Sequence, residues 1–376
     1  MEKAFAFGQV TFGYTFTNRE WEKQRLANNI NGGIHTMLIS PRRWGKSSLI
    51  KQVGKEISNK DIRFCYLDVF SIKDEHDFYR QYAEALIKST SSKIEDAAKN
   101  AGKYIKNLIP SFSVGNGMDA NFEVKFRVDE TKHSPEELIN LGETIAIDKG
   151  IKLVICLDEF QNINDFENGL AFQKKLRANW QHHQHVVYIL YGSKLSMMSD
   201  MFNKRKMPFF NFGDIFFLGK ISKEHLVKFI LERFEQTGKH IDTIYAERIV
   251  DLMECHPHYV QHLSHLVWYA CDKNVISTNL EEAMELLLNS YVPMFQRIFE
   301  ELSRIQINYL KAIADGQITL LTSKDIVSKY DMGTPASVLK AIIGLEKKEI
   351  LDRMNSKTEF LDPVFKIWFK NLFKIR

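Results

Sequence analysis

Residues 38–50 read LISPRRWGKSSLI: an apolar run, a tight loop, then Gly-Lys-Ser-Ser opening a helical pattern. No other segment restricts the fold so strongly. The pattern predicts a β-strand that feeds a helix through a loop whose backbone N–H groups face an anion, with a lysine placing a point charge between terminal phosphates. The usual spacing is G-x-x-x-x-G-K-[S/T]. Here Ser40 stands where the first glycine belongs and has to reach the turn with a Cβ, while Gly45 is kept. Ser40, Pro41, Arg42, Arg43, Trp44, Gly45, Lys46, Ser47 and Ser48 are the predicted nucleotide-binding residues, with Lys46 also catalytic and Ser47 a Mg²⁺ ligand.

A second segment, LVICLDEFQNI (153–163), is an apolar run ending in Asp158-Glu159. A buried parallel strand of this kind delivers two carboxylates to the sheet's carboxyl edge, beside the phosphate loop. Asp158 is the expected second metal residue, acting through water, and Glu159 the expected residue that orients or deprotonates the attacking water. Gln161 either assists that water or caps a turn; the sequence leaves both open. A third apolar run, VVYILYGS (186–193), ends in Gly192-Ser193, where a polar side chain could reach the γ-phosphate or its water. The cofactors predicted are ATP and Mg²⁺.

HTMLIS (35–40), RFCYLDVF (63–70), KLVICLDEF (152–160) and HVVYILYGS (185–193) are rich in β-branched and aromatic residues and suit strands buried on both faces. They alternate with helical patterns, which indicates an α/β layer architecture over residues 1–215. The stretch 109–126 carries Pro110, Gly115 and Gly117 and reads as an inserted loop or hairpin. From 222 the strands give way to amphipathic helices, one opening with Pro257 at its first position. This predicts a small helical domain over 216–299. Residues 300–376 read helix, short helix, helix, two short strands, helix.

Net charge is +4 over 376 residues, too small to argue for nucleic acid without a localised patch. Cys65, Cys156, Cys255 and Cys271 lie far apart, with no C-x-x-C pair, and read as free thiols in a reducing compartment. The N-terminal residues lack a signal-peptide pattern, and no apolar stretch approaches the ~20 residues of a membrane span. A cytoplasmic protein without a membrane partner is expected.

FTNREWEKQRL, SPRRWGKSSL, LDEFQNI, LRANWQHHQHVVYILYGS and CHPHYVQHL together resemble the prokaryotic archaeal-type ATPases of the AAA+/STAND assemblage, near the replication-initiator branch. The resemblance covers almost the whole chain. It implies an α/β P-loop NTPase with an AAA+-like parallel sheet, followed by an α-helical lid domain and a winged helix-turn-helix domain. It also implies that Asn18-Arg19-Glu20 is the box lying near the base, that Ser193 is the catalytic sensor residue, and that His256-Pro257 is the motif by which the lid approaches nucleotide. Arg19 and Pro257 therefore join the nucleotide-binding set. Where relatives read PLYGR, this chain reads PFFNFGD (208–214), without the arginine. Arg177, Arg42 or Arg43 then has to supply positive charge to the transition state, or hydrolysis is slow.

The expected function is an ATP-binding, slowly hydrolysing molecular switch in which nucleotide state sets the angle between domains. The alternatives are a DNA-binding regulator with structural nucleotide and a scaffold that has lost catalysis. Residues 300–376 hold 13 Lys+Arg against 10 Asp+Glu, and the expected recognition helix TPASVLKAIIGLEKKE has no arginine. That favours a protein partner over DNA. His258, His262 and His265, near Cys255, have metal-compatible spacing but lack a convincing fourth ligand. His182, His183 and His185 read as a solvated loop, and MPFFNFGDIFFLG (207–219) reads as core or as a partner patch.

Overall fold

The computed structural model describes residues 4–11, 13–104, 109–114, 122–127, 134–354 and 357–375. They fall into two compact units. One holds Arg19–Arg42 and Lys46–Leu218. The other holds Met1–Asn18, Arg43–Gly45 and Gly219–Arg376.

The first unit runs α1 (Glu20–Asn31), β1 (Thr36–Ile39), α2 (Lys46–Ile57), β2 (Ile62–Asp68), α3 (Glu75–Thr90), α4 (Ile94–Tyr104), β3 (Ile109–Val114) and β4 (Phe122–Arg127). It continues with α5 (Pro135–Ile139), α6 (Leu141–Lys149), β5 (Lys152–Asp158), α7 (Gly169–Trp180), β6 (Val186–Gly192), α8 (Leu195–Asn203) and β7 (Asp214–Phe217). Five strands form one parallel sheet in the order β2-β5-β6-β1-β7. Every residue of β1 and β6 is buried, as is most of β5, so both faces of these strands are covered. Because all five strands run the same way, the residues after β1, β5 and β6 gather at one edge. Segment 109–127 is an antiparallel hairpin of β3 and β4; its turn lies outside the described residues.

Two strand readings need correction. β2 is not buried on both faces: it is an edge strand whose exposure alternates, with Cys65 and Leu67 inward and Tyr66 and Asp68 outward. Its apolar run misled because Phe64 and Tyr66 form a stacked pair on the outer face. The opposite edge is β7, hidden in the aromatic run 207–219. Phe209, Phe212 and Phe216 of that run are buried, and Phe209 meets Phe160 and Trp180 in the core. The aromatic run is therefore core.

The second unit runs α9 (Lys223–Gln236), α10 (Thr243–Leu252), α11 (Pro257–Ala270), α12 (Ser277–Glu300), α13 (Arg304–Ala314), α14 (Lys324–Lys329), α15 (Pro335–Lys347), β8 (Leu351–Met354), β9 (Lys357–Phe360) and α16 (Pro363–Phe373). The last four helices and the β8–β9 hairpin make a winged helix. Its helix starts are written in the sequence. Ser303 and Gln306 form a reciprocal capping box on α13, Thr334 caps α15 ahead of Pro335, and Asp362 accepts the Val364 and Phe365 N–H groups ahead of Pro363. The N-terminal residues join this unit: Ala4 and Phe5 are buried in its core, and Phe5 meets Phe229 and Phe234.

Candidate functional site

The phosphate loop is shaped by two left-handed residues, Arg43 (φ 65) and Gly45 (φ 94). A Cβ at Gly45 meets nothing within 4 Å, so its glycine is required by backbone conformation and not by space. Ser40 is buried and is not among the residues with positive φ, so this backbone does not need a glycine at the first position. α2 begins at Lys46, directly after the loop. The Lys46 ammonium is buried and donates to the Ser40 carbonyl at 2.8 Å and the Pro41 carbonyl at 2.9 Å.

Ser47 Oγ donates to Asp158 Oδ2 at 2.8 Å, which joins the first turn of α2 to the end of β5. Burial pushes the Asp158 carboxyl up to about 6; the neighbouring Glu159 and Asp68 carboxylates add to the rise, and the Ser47 hydrogen bond and Lys46 oppose it. Asp68 is its register partner across β2 and β5. A hydroxyl beside a poorly solvated carboxylate is an oxygen donor set that fits Mg²⁺, and α2 presents its N-terminus to an anion.

Glu159 adopts a left-handed conformation (φ 49) immediately after β5. Its Oε2 accepts three hydrogen bonds: from Ser193 Oγ at 2.9 Å, from Ser193 N–H at 3.2 Å and from Gln161 Nε2 at 2.5 Å. Gln161 is fully buried, and its Oε1 accepts no hydrogen bond among the described residues. It fits because position 192 has no side chain: a Cβ on Gly192 would stand 1.9 Å from Gln161 Oε1 and 2.9 Å from Met198 Sδ. The sequence left the role of Gln161 open; in the structure it donates to Glu159, as Ser193 also does. Gly192, taken from sequence as turn chemistry, is required by this close approach. Arg42 Nε donates to Ser193 Oγ at 3.4 Å, so this arginine stands at the same group.

Arg19 caps α1 in a left-handed conformation (φ 73), is buried, and pairs with Glu22 at 2.8 Å. In the second unit, Arg43 Nη1 donates to Tyr259 Oη at 3.1 Å, and the Tyr259 hydroxyl in turn donates to Asp362 Oδ2. Trp44 lies edge-on to His256 with ring centroids 6.3 Å apart, and Pro257 is the buried first residue of α11. His258 and His262 both meet the Tyr291 hydroxyl, at 3.3 and 3.2 Å, and Phe7 stacks on His262. Among the described residues no cluster of three or more His, Cys, Asp or Glu is arranged to hold a metal.

Two expectations fail. Arg177 cannot serve the phosphate loop. It lies over Phe212, in a cavity with His35, the residue before β1, whereas the loop follows β1 at the other edge of the sheet. His183 is also not in a solvated loop: it is half-buried between the Tyr188 hydroxyl and Asn140 Oδ1, each at 2.8 Å, and burial lowers its pKa to about 4. His185 pairs with Glu143 at 2.9 Å.

No curated protein matches the chain. Among solved structures, a Walker-type ATPase of Pyrococcus abyssi is similar with 17% identity and a TM-score of 0.69, over 98% of this chain and 99% of that one. The ORC2 protein of Aeropyrum pernix, in its ADPNP–ADP complexes, is similar with 14% identity and a TM-score of 0.62, over 99% of this chain and 98% of that one. These likenesses show a shared fold. A family described as "Probable winged helix domain" matches residues 293–371, and one described as "ATPase domain predominantly from Archaea" matches residues 16–263. With about two thirds of its length inside the second of these, the chain belongs to that ATPase family.

Proposed function

We propose that the chain is an ATP- and Mg²⁺-dependent molecular switch that hydrolyses ATP slowly and acts in the cytoplasm. The observation that carries the reading is the convergence of Lys46, Ser47, Asp158, Glu159 and Ser193 at one sheet edge. Bound ATP·Mg²⁺ supplies the phosphoanhydride and the charge that polarises it. Ser47 and Asp158 are the residues to hold the metal, and Lys46 supplies a point charge between the terminal phosphates. Ser40 to Ser48 line the phosphates, Arg19 lies near the base, and Pro257 belongs to the motif by which the lid approaches nucleotide. Glu159 takes the proton of the attacking water. Its Oε2 accepts from Ser193 and Gln161, which hold the carboxylate in place, and slow turnover is read from the arginine missing at 208–214. Arg42 is the arginine best placed to meet transition-state charge. Glu159→Gln is expected to keep ATP binding and lower turnover by roughly 10²-fold, the effect of losing a general base. Turnover at the wild-type rate would remove Glu159 from the mechanism.

Switching is supported by a part-buried polar chain within the second unit. Arg43 bonds Tyr259 of α11, which bonds the carboxylate that caps α16 of the winged helix. Residues 1–215, 216–299 and 300–376 are read as the ATPase, lid and winged-helix parts.

The winged helix is read as a protein-docking module. The outer stripe of α15 is Ala336, Leu339, Lys340, Ile343 and Lys347, with Leu339 49% and Ile343 61% exposed at its centre. A DNA-reading helix would carry phosphate and base contacts there. Fluorescence anisotropy with labelled duplex near physiological salt checks this. Sub-micromolar binding that is lost on deleting 300–376 would favour the DNA-regulator reading instead.

A further inference from the structure

An open recess of about 360 Å³ is lined by His35, Arg177, Gln181, His182 and Phe212. It lies at the amino edge of the sheet. β1 separates His35 from Ser40, and four residues of strand span about 13 Å. None of the ATPase chemistry reaches it.

The cavity offers donors and no acid. Arg177 lies 4.9 Å above the Phe212 ring, and His35 stacks on Phe212 at 4.4 Å. Arg177 Nη1 donates to Gln181 Oε1 at 3.0 Å, which leaves the rest of the guanidinium fork. Its pKa is lowered by burial alone, with no carboxylate opposing it. His35 Nδ1 accepts the Tyr188 backbone N–H at 3.2 Å, so the ring proton sits on Nε2. Gln181 Nε2 faces the Ala178 carbonyl and His182 Nε2, each at 3.3 Å; an amide nitrogen can only donate, so the His182 proton sits on Nδ1. His183 does not contribute, because both of its nitrogens are engaged by Tyr188 and Asn140. Glu143, the carboxylate nearest this loop, is occupied by the Gln184 and His185 N–H groups and the His185 ring. One guanidinium and two imidazole rings therefore line a recess whose Gln181 and His182 side is exposed, and among the described residues none is balanced by a carboxylate.

We propose that this cavity is a second anion site, separate from the phosphate loop, which takes a small ligand through a phosphate or carboxylate group. Arg177 supplies a planar fork that binds such a group in bidentate fashion, with His35 and His182 donating at its flanks. The Phe212 ring fixes the plane of the fork.

The test uses full-length protein with labelled histidine rings, carrying Lys46→Ala so that the phosphate loop does not compete. Inorganic phosphate and, in a parallel arm, acetate are titrated while the His35 and His182 ring resonances are followed. A saturable shift of both rings is expected in roughly the millimolar range of a single charged contact site. Adding Arg177→Gln should weaken it at least about tenfold, and Arg177→Lys, which keeps charge but loses the fork, should fall between. Thermal midpoints confirm that the variants are folded. A response to phosphate alone assigns a phosphate group, and a response to acetate as well assigns a carboxylate. Absence of saturation with either anion, or equal midpoints with and without Arg177, would overturn the proposal. Since every arm carries Lys46→Ala, the outcome is independent of the nucleotide reading.

Discussion

At the scale of residues, the site turns on which atoms already have partners. Gln161 is buried and commits its amide N–H to Glu159, and it can do so only because residue 192 lacks a Cβ. Gly192→Ala is therefore expected to displace Gln161 and cost about 1–3 kcal/mol, as overpacking of a filled interior does. It should also change turnover, since Glu159 loses one of its ties. Chemical denaturation together with an ATPase assay checks this, and an unchanged midpoint would show that the site has room the structure does not suggest. Lys46, Ser47, Asp158 and Glu159 were legible because the phosphate-loop and acidic-strand patterns are local runs of sequence. Gln161 and Gly192 were not, because their relation is a contact across two strands that no spacing rule encodes. Arg177 was misplaced for a related reason: a helix pattern tells which residues share a face, not which edge of the sheet its end reaches.

At the scale of elements, β1, β2, β5 and β6 were readable as strands and the edge strand β7 was not. β5 and β6 are continuous apolar runs because neighbours cover both faces, and that signal survives in a single sequence. β2 was read as a strand, but Tyr66 on its outer face hid that one side is open, and β7, four residues with Phe217 outward, was lost in the surrounding aromatic run. The helix starts of the winged helix were legible through Ser303, Thr334 and Asp362. What the cap on α16 also does was not. Asp362 is buried, which raises its pKa, and it depends on the Tyr259 hydroxyl as well as on the Val364 and Phe365 N–H groups. Tyr259→Phe keeps the ring but removes that donor. It should cost about 1–3 kcal/mol, the penalty of leaving a buried acceptor short of a partner. It should also abolish any nucleotide-dependent change in protease protection of residues 300–376. If protection still responds to ATP as in the wild type, the Arg43–Tyr259–Asp362 chain is not the route.

At the scale of the whole molecule, buried histidines set the response to acid. Burial lowers His35, His183 and His262 to about 4 and His256 and His258 to about 3, against 6.5 in an unfolded chain. Between those values and 6.5 the unfolded chain binds more protons than the native one, so stability is full above 6.5 and is lost as pH falls. Asp158 and Asp362 act in the opposite sense, because a raised pKa lets the native state hold a proton to higher pH, but they are two groups against five. The thermal midpoint should fall by on the order of 10 °C between pH 7 and pH 4.5. A flat profile would mean that these histidines are hydrated in solution. No helix among the described residues is long and apolar enough to cross a membrane.

The central claim is that nucleotide binds at the loop that ends in Lys46. Titration calorimetry of ATP·Mg²⁺ into wild type and Lys46→Ala tests it most directly. Loss of a charged hydrogen bond to phosphate predicts binding weaker by roughly ten- to a hundredfold in the variant, which still folds. Equal affinity in the two proteins would contradict the account.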